Sequence, residues 1–460
     1  MSPMPRALVS QVLFPLHERL KGKPTYAYLR DLERTQWLSP GALRELQFRR
    51  LKEHLDFAYR EIPYYQRVFA EHGLSPAQIS SFEDFSRLPC LTREEIRRLR
   101  SDLEPRRPIR GAHAVSTGGS TGAPVTVMTD PRKSSAGDAA RLRAHRWFGV
   151  DVGAPEIVLW GSPIEGGRQD TVRNLRDRLI NSTFLSAFDM GEAALRRYVK
   201  ALARKRPAKI FGYASAVYLL ARYLRQIGWT TPLSWPLAIF VTAEPLFPFQ
   251  RSLIESVFGA PVAVEYGARD AGLIANQCPA GGLHVNAEGI LLELGPADGS
   301  ASESGGEVIV TNLDSWAMPI IRYRTGDVAE AGGETCACGR GLPLLGQVQG
   351  RATDFLVTPD GRVMHALAVI YVMREIAEVE EFQIVQEEVD RLRVLVVAER
   401  ADGGGTRAAI VAGFRRLFGP GAAISVDVVD AIPRAPSGKF RHVISRIADE
   451  HLAVTLGGAR

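Results

Sequence analysis

The sequence predicts an α/β protein: a large N-terminal domain with mixed β-sheets and flanking helices, followed by a small C-terminal α+β domain. Three observations carry this. At 460 residues the chain exceeds the usual size of one domain. From Ala114 onward, short β-branched runs alternate with Gly/Ser/Pro turns and helical stretches. Near Gly350 the character changes again, and a compact set of strands and helices follows.

The first 110 or so residues read as a helical leader. Ala42 to Tyr59 carries Leu43, Leu46, Leu51, Leu55 and Ala58 at helical spacing. Thr92-Arg-Glu-Glu opens a helix over Arg93–Leu103 in the manner of a capping box. Strands are expected at Val125–Met128, Ile157–Trp160, Ala238–Val241, Val262–Glu265, Ile290–Leu294 and Glu307–Thr311. Helices are expected between them at Ala193–Arg204 and Ala214–Ile227. The C-terminal part opens with a Pro359-Asp360-Gly361 turn and a helix, Ala366–Ile376. Strands at Phe382–Gln386 and Leu392–Ala398, a helix at Arg407–Leu417 and a strand at Ile424–Val429 follow. The boundary is set at Gly350–Phe355, giving domains over 1–350 and 351–460.

Hydrophobic residues make up 45% of the chain and charged residues 23%, as in a globular protein with filled cores. No apolar run approaches the ~20 residues of a membrane-spanning helix. Met1 to Lys23 mixes Pro, Arg, His and Glu among its apolar residues and lacks the form of a secretory signal. The expected address is cytoplasmic, with no membrane partner. A net charge of +6 permits nucleic-acid or anionic-membrane contact. The basic residues are scattered, however, and the clusters Arg97–Arg110 and Arg204–Lys209 read as solvated faces, so no nucleic-acid partner is expected.

Val115-Ser-Thr-Gly-Gly-Ser-Thr-Gly-Ala-Pro124 is the densest small-residue stretch, and it precedes a strand. Here the backbone N–H groups of Ser116, Thr117, Gly118, Gly119, Ser120, Thr121 and Gly122 can converge, with hydroxyls as added donors. That suits phosphate oxygens. The stretch lacks the Gly-Lys-Ser/Thr ending of a Walker A loop, and by composition alone a flexible connector is an equal reading. Lys439, in Ile432-Pro-Arg-Ala-Pro-Ser-Gly-Lys-Phe-Arg441, is the only lysine after Lys209 in a half-chain that otherwise uses arginine. A compact ammonium suits a place between an attacking carboxylate and a phosphate. A surface lysine on a turn is the bland alternative. The four cysteines do not make a disulfide scaffold. Cys278-Pro-Ala-Gly-Gly-Leu-His284 and Cys336-Ala-Cys338 offer three thiols and one imidazole from Gly/Pro-rich loops, a complete tetrahedral set for structural zinc. Independent reduced cysteines are the other reading.

With these segments the chain resembles the adenylate-forming superfamily of acyl-CoA ligases, from about Leu51 to Ile447. Within it, the likeness is to the phenylacetate–CoA ligase group and relatives in capsule biosynthesis. Ser116–Pro124 matches the family's Ser/Thr/Gly loop. Val264-Glu-Tyr-Gly-Ala-Arg-Asp-Ala-Gly272 matches its Tyr-Gly-x-x-acid motif, and Tyr323-Arg-Thr-Gly-Asp327 its Tyr-x-Thr-Gly-Asp motif. Gly350-Arg-Ala-Thr-Asp354 matches the hinge, and Ser437-Gly-Lys439 the C-terminal Gly-Lys motif.

The resemblance implies that Tyr266 and Gly267 meet adenine, that Asp327 holds the ribose hydroxyls with help from Arg351, and that Lys439 is catalytic. Asp270 stands where the family carries a magnesium-contacting glutamate, and Arg269 where it carries threonine, a place from which arginine would reach phosphate or substrate. Tyr213, Ala243, Glu244 and Ala268 fall in segments that line the family's acid pocket. The implied reaction joins a carboxylic acid, aryl or similar, to AMP from ATP with Mg²⁺, then hands the acyl group to coenzyme A. The C-terminal domain would be mobile, turning about Arg351–Asp354 to withdraw Lys439. Other acceptors stay open: an amine or a carrier-protein thiol for the acyl group, or a hydroxyl for AMP. A third reading is a zinc-stabilised nucleic-acid-binding protein without catalysis. A homodimer is left open.

Overall fold

The computed structural model describes residues 4–116, 125–161, 176–187, 190–230, 235–244, 246, 248–295, 305–349, 355–365, 367–376, 378–379, 381–398, 405–430, 432 and 443–447. Lys439, Arg351 and Thr117 to Gly122 lie outside these residues, as does the expected boundary at 350–354.

The leader is helical, as its spacing indicates. Its longest helix, Pro40–Glu61, starts on the Ser39 side chain, with Pro40 in its first turn, and ends at Ile62, ahead of Pro63. Its buried side is Leu43, Gln47, Leu51, His54, Leu55 and Ala58. The capping box forms: Thr92 and Glu95 satisfy each other's backbone N–H at the start of Arg93–Arg98.

Strand β1 (His113–Ser116) pairs with β2 (Thr126–Thr129) as a separate ribbon. The remaining N-terminal strands are β3 (Glu156–Trp160), β4 (Ser182–Ser186), β5 (Lys209–Tyr213), β6 (Ala238–Thr242), β7 (Val262–Ala268), β8 (Gly272–Gln277), β9 (Leu283–Val285), β10 (Ile290–Gly295), β11 (Gly305–Asn312), β12 (Ile320–Ala331) and β13 (Leu344–Gln349). Beside that ribbon, the described residues form one mixed 11-stranded sheet, ordered β10-β11-β12-β13-β9-β8-β7-β6-β5-β3-β4. The run β4-β3-β5-β6-β7 is parallel. From the β7–β8 pair to β10 every pairing is antiparallel. The parallel half buries its faces under Glu192–Lys205, Ala214–Gln226 and Pro248–Phe258, and the leader packs on the antiparallel half.

From Phe355 the chain builds a separate core. Strands β14 (Phe355–Val357) and β15 (Val363–His365) pair, and β16 (Glu381–Glu388), β17 (Arg391–Val397), β18 (Ala423–Val428) and β19 (Val443–Ser445) form a sheet ordered β18-β17-β16-β19. Helices Leu367–Arg374 and Gly405–Phe418 supply Val369, Ile370, Ile410 and Phe414 to that core. The fold is thus a large mixed sheet flanked by helices, plus a small α+β unit.

Helix Pro131–Trp147, absent from the sequence reading, links the two halves of the site. Its cap, Asp130, is fully buried. One carboxylate oxygen accepts the N–H groups of Arg132 (2.8 Å) and Lys133 (3.2 Å), the other those of Trp316 (3.0 Å) and Ala317 (2.9 Å). Asp130→Ala orphans four buried or half-buried donors, and should cost roughly 3 kcal/mol in urea unfolding. A loss below about 1 kcal/mol would show that water replaces the carboxylate.

Candidate active site

A cavity of about 1180 Å³ opens where the carboxyl ends of the parallel strands meet the first antiparallel pair. This is where open α/β sheets bind ligands. Trp160 ends β3, Tyr213 ends β5, Thr242 to Glu244 leave β6, and Tyr266 to Asp270 leave β7; all line it. Asp327 reaches it from β12.

Tyr266 and Asp327, far apart in sequence, meet: the phenol donates to the carboxylate at 2.9 Å. Burial, then the Asp327 charge, pushes the Tyr266 phenol far up, so it stays a donor. Asp327 is aimed by its own turn, whose Thr325 hydroxyl accepts the Asp327 N–H at 3.2 Å and donates to the Val308 carbonyl at 2.9 Å. Gly267 permits the tight β7–β8 crossing, because a Cβ there would lie 2.7 Å from the Gly272 carbonyl oxygen.

Asp270 is 1% exposed. One oxygen accepts the Tyr323 hydroxyl at 2.6 Å and Arg93 at 3.5 Å, and the other the Ala271 N–H at 3.0 Å. Its backbone carbonyl accepts the ammonium of Lys133 at 2.7 Å, and burial pushes that lysine down to about 8. Asp270 lines the cavity, and with both oxygens already engaged a magnesium contact there would share the carboxylate with these partners or run through water. The same hydrogen bonds hold the turn that follows Ala268 and Arg269.

On the acid side, Trp160 and Tyr213 stack at 4.3 Å and 24°. Ala243 adopts φ 68°, a left-handed conformation costly for a residue with a Cβ and characteristic of functional sites. Next to it, the Glu244 carboxylate accepts the Ser215 N–H at 3.0 Å and so caps helix Ala214–Gln226 from outside. Arg269 donates to the Ser116 carbonyl at 3.2 Å, tying β7 to the start of the Ser/Thr/Gly stretch. Together with Trp160 and Tyr371 it also borders a second cleft of about 370 Å³.

Cys278, His284, Cys336 and Cys338 converge, with ligand atoms all within 4.8 Å of one another. The two sulfurs of Cys278 and Cys336 are 3.6 Å apart, and Cys338 Sγ lies 3.2 Å from His284 Nε2. His284 Nδ1 donates to the Leu342 carbonyl at 3.1 Å, which leaves Nε2 as the free ligand atom. Gly282 makes room, since a Cβ there would stand 2.8 Å from Cys336 Sγ.

Behind β7 runs a buried polar chain that sequence reasoning missed. Glu265 accepts from Arg141 at 2.9 Å and from His145 Nε2 at 2.8 Å. Lys209 donates to His145 Nδ1 at 3.0 Å and pairs with Glu156 at 2.7 Å. An ammonium has no acceptor, so the imidazole is neutral and carries its proton on Nε2. Arg93, Lys133, Tyr323 and His145 left little trace in sequence; Tyr323 alone lay inside a quoted motif.

Comparison with known proteins places the chain beside several relatives. A family model described as the CapK C-terminal domain matches residues 356–446. Protein CapK of Staphylococcus aureus is 25% identical over 440 residues, spanning 93% of this chain and 94% of that protein. A phenylacetate–coenzyme A ligase of Thermus thermophilus is 25% identical over 338 residues, 68% of this chain and 72% of that protein. A 2-hydroxyisobutyryl-CoA ligase, solved with 2-HIB-AMP and CoA, shares the fold at TM-score 0.61 and 20% identity, covering 93% of this chain and 94% of its own. The fold and the site define an adenylate-forming ligase. Within that superfamily the chain is similar to the phenylacetate–CoA ligases and to CapK.

Burial and the Lys209 ammonium push His145 down to about 4. Burial pushes Glu265 up, but Arg141 and His145 outweigh it and hold it at about 2. Between pH 6.5 and 4 the unfolded chain binds a proton at His145 that the folded one refuses, so stability falls with falling pH. The full effect is about 3 kcal/mol. Urea unfolding across this range should show the slope, and His145→Gln should flatten it, leaving the parts due to His54 and His284, whose pKa values burial also lowers. An unchanged slope in the variant would contradict the neutral, buried imidazole.

Proposed function

We propose that this chain activates a carboxylic acid with ATP, releasing pyrophosphate, and transfers the acyl group from the resulting acyl-AMP to the thiol of coenzyme A. The Tyr266–Asp327 pair carries the reading: one cavity offers an aromatic ring for a base and a double acceptor for a ribose diol, bonded at 2.9 Å. The stacked wall of Trp160 and Tyr213 favours an aryl or similarly flat acid, with Ala243, Glu244 and Ala268 around it. The names of the relatives, phenylacetate–coenzyme A ligases, and the acyl-AMP and CoA in the solved neighbour support the same chemistry.

In this reaction an acid oxygen attacks the α-phosphorus, the new P–O bond forms, and the bond to pyrophosphate breaks. No protein nucleophile is needed; orientation and charge neutralisation carry the rate. The loop Ser116, Thr117, Gly118, Gly119, Ser120, Thr121 and Gly122 would wrap the phosphates, with Arg269 tied to its first residue. Lys439 would neutralise the transferring group and Arg351 would help hold the ribose. Magnesium would ride on the nucleotide phosphates, with Asp270 contacting it directly or through water.

The C-terminal unit, taken as residues 351–460, would then turn about the hinge and admit the thiol. Zinc on Cys278, His284, Cys336 and Cys338 is proposed as structural. A tetrahedral Zn–S distance of ~2.3 Å requires sulfurs roughly 3.8 Å apart, close to the 3.6 Å observed. Four protein ligands leave no open position, so the ion would brace the two loops and take no part in the chemistry.

Lys439→Ala should abolish acid-dependent ATP–pyrophosphate exchange, lowering it by at least about 100-fold, while nucleotide binding by calorimetry persists. Exchange that survives would sink the catalytic role of Lys439. Protein purified without chelators should hold one zinc per chain, lost together with thermal stability in Cys336→Ser/Cys338→Ser. Metal-free protein of equal stability would sink the zinc reading.

A further inference from the structure

The N-terminal helix presents a surface that the chemistry above does not use. Arg6–Leu8, Val9–Leu13 and Phe14–Leu20 form one continuous helix whose middle turn is π-helical. Its inner side is tied down. Val9 is buried, the Ser10 carbonyl accepts the Tyr26 hydroxyl at 2.8 Å, and Phe14 meets the Tyr26 ring edge-on at 5.7 Å. Buried Glu18 holds the Thr25 hydroxyl and His17.

The outer side carries Leu8, Val12, Leu16 and Leu20, exposed by 37, 50, 51 and 79%. In a regular α-helix such an i+4 series drifts by about 40° per step. A π turn is wider, takes up part of that drift, and keeps the row on one side. Arg6, Arg19 and Lys21 are exposed near the row, and the only acid among residues 4–24 is the buried Glu18.

An aliphatic row set among cations, with no exposed acid, has a definite complement. A second copy would bring cations against cations, and four side chains fall well short of the ~800 Å² per partner of a stable dimer. An anionic bilayer offers acyl chains to the row and phosphates to the cations, at the ~5–10 Å depth that an interfacial helix reaches. We infer that the outer face of the N-terminal helix docks on an anionic phospholipid surface and holds the enzyme there reversibly. No helix among the described residues is long and apolar enough to cross a membrane. The basic residues of the whole chain are scattered, which argues against a broad anionic-membrane contact, but this one helix joins an exposed apolar row to local cations and needs no spanning segment.

The test is sedimentation of the full-length protein with vesicles of phosphatidylglycerol and phosphatidylcholine in equal parts, and with phosphatidylcholine alone, at low and high salt. The protein should bind the anionic vesicles, less so at high salt. Val12→Asp/Leu16→Asp/Leu20→Asp should lower binding at least about tenfold with unchanged thermal melting, since all three side chains are exposed. Arg19→Glu/Lys21→Glu should remove the preference for anionic vesicles. Absence of binding to anionic vesicles, or binding indifferent to both variants, overturns the inference. So does a dimer that the triple variant abolishes without any vesicle binding, which would assign the face to a second copy.

Discussion

The carboxylate of Asp270 is the point on which the site hangs. A charge so deeply buried persists only when paired and hydrogen-bonded, and its partners come from distant parts of the chain. Tyr323 arrives from β12, Arg93 from the first turn of a capped leader helix, and Lys133 grips the adjoining carbonyl from helix Pro131–Trp147. These contacts fix the turn between β7 and β8, where the sheet changes from parallel to antiparallel. That turn presents Tyr266, Ala268 and Arg269 to the cavity.

Helix Pro131–Trp147 extends this order across the molecule. Its start is pinned by Asp130 and faces the Asp270 turn through Lys133. Its end, Trp147, meets the His284 ring edge-on at 5.8 Å and carries the Arg340 guanidinium over its face at 4.4 Å. The cysteine–histidine cluster and the nucleotide side of the cavity are therefore two ends of one rigid element. A metal there would stiffen the loops after β8 and β12 without touching the reacting atoms.

The parts legible in sequence were those whose signal is local. Apolar spacing marked Pro40–Glu61 and Ala214–Gln226, turn chemistry marked β2, β3, β6, β7, β10, β11, β16, β17 and β18, and short motifs marked Tyr266, Asp327 and the four metal-ligand candidates. Arg93, Lys133 and His145 were not legible, because each acts on a partner more than a hundred residues away through a contact only the fold creates. Helix Pro131–Trp147 was missed for a related reason. Its buried side includes Lys133, Ser135, Arg143 and His145, so no apolar stripe announces it. The single large sheet, too, depends on β8, β9 and β13, short strands recognisable only once paired.

The central claim is that a carboxylic acid is joined to AMP in the cavity at the end of β7. Mass spectrometry of the product formed from ATP and a panel of aryl, alkyl and amino acids, with no thiol present, tests it most directly. An acyl-AMP and pyrophosphate should form with at least one class of acid, and the acyl-AMP should disappear in Asp327→Ala. Cleavage of ATP to ADP and phosphate, or an adenylate that forms unchanged in Asp327→Ala, would contradict it.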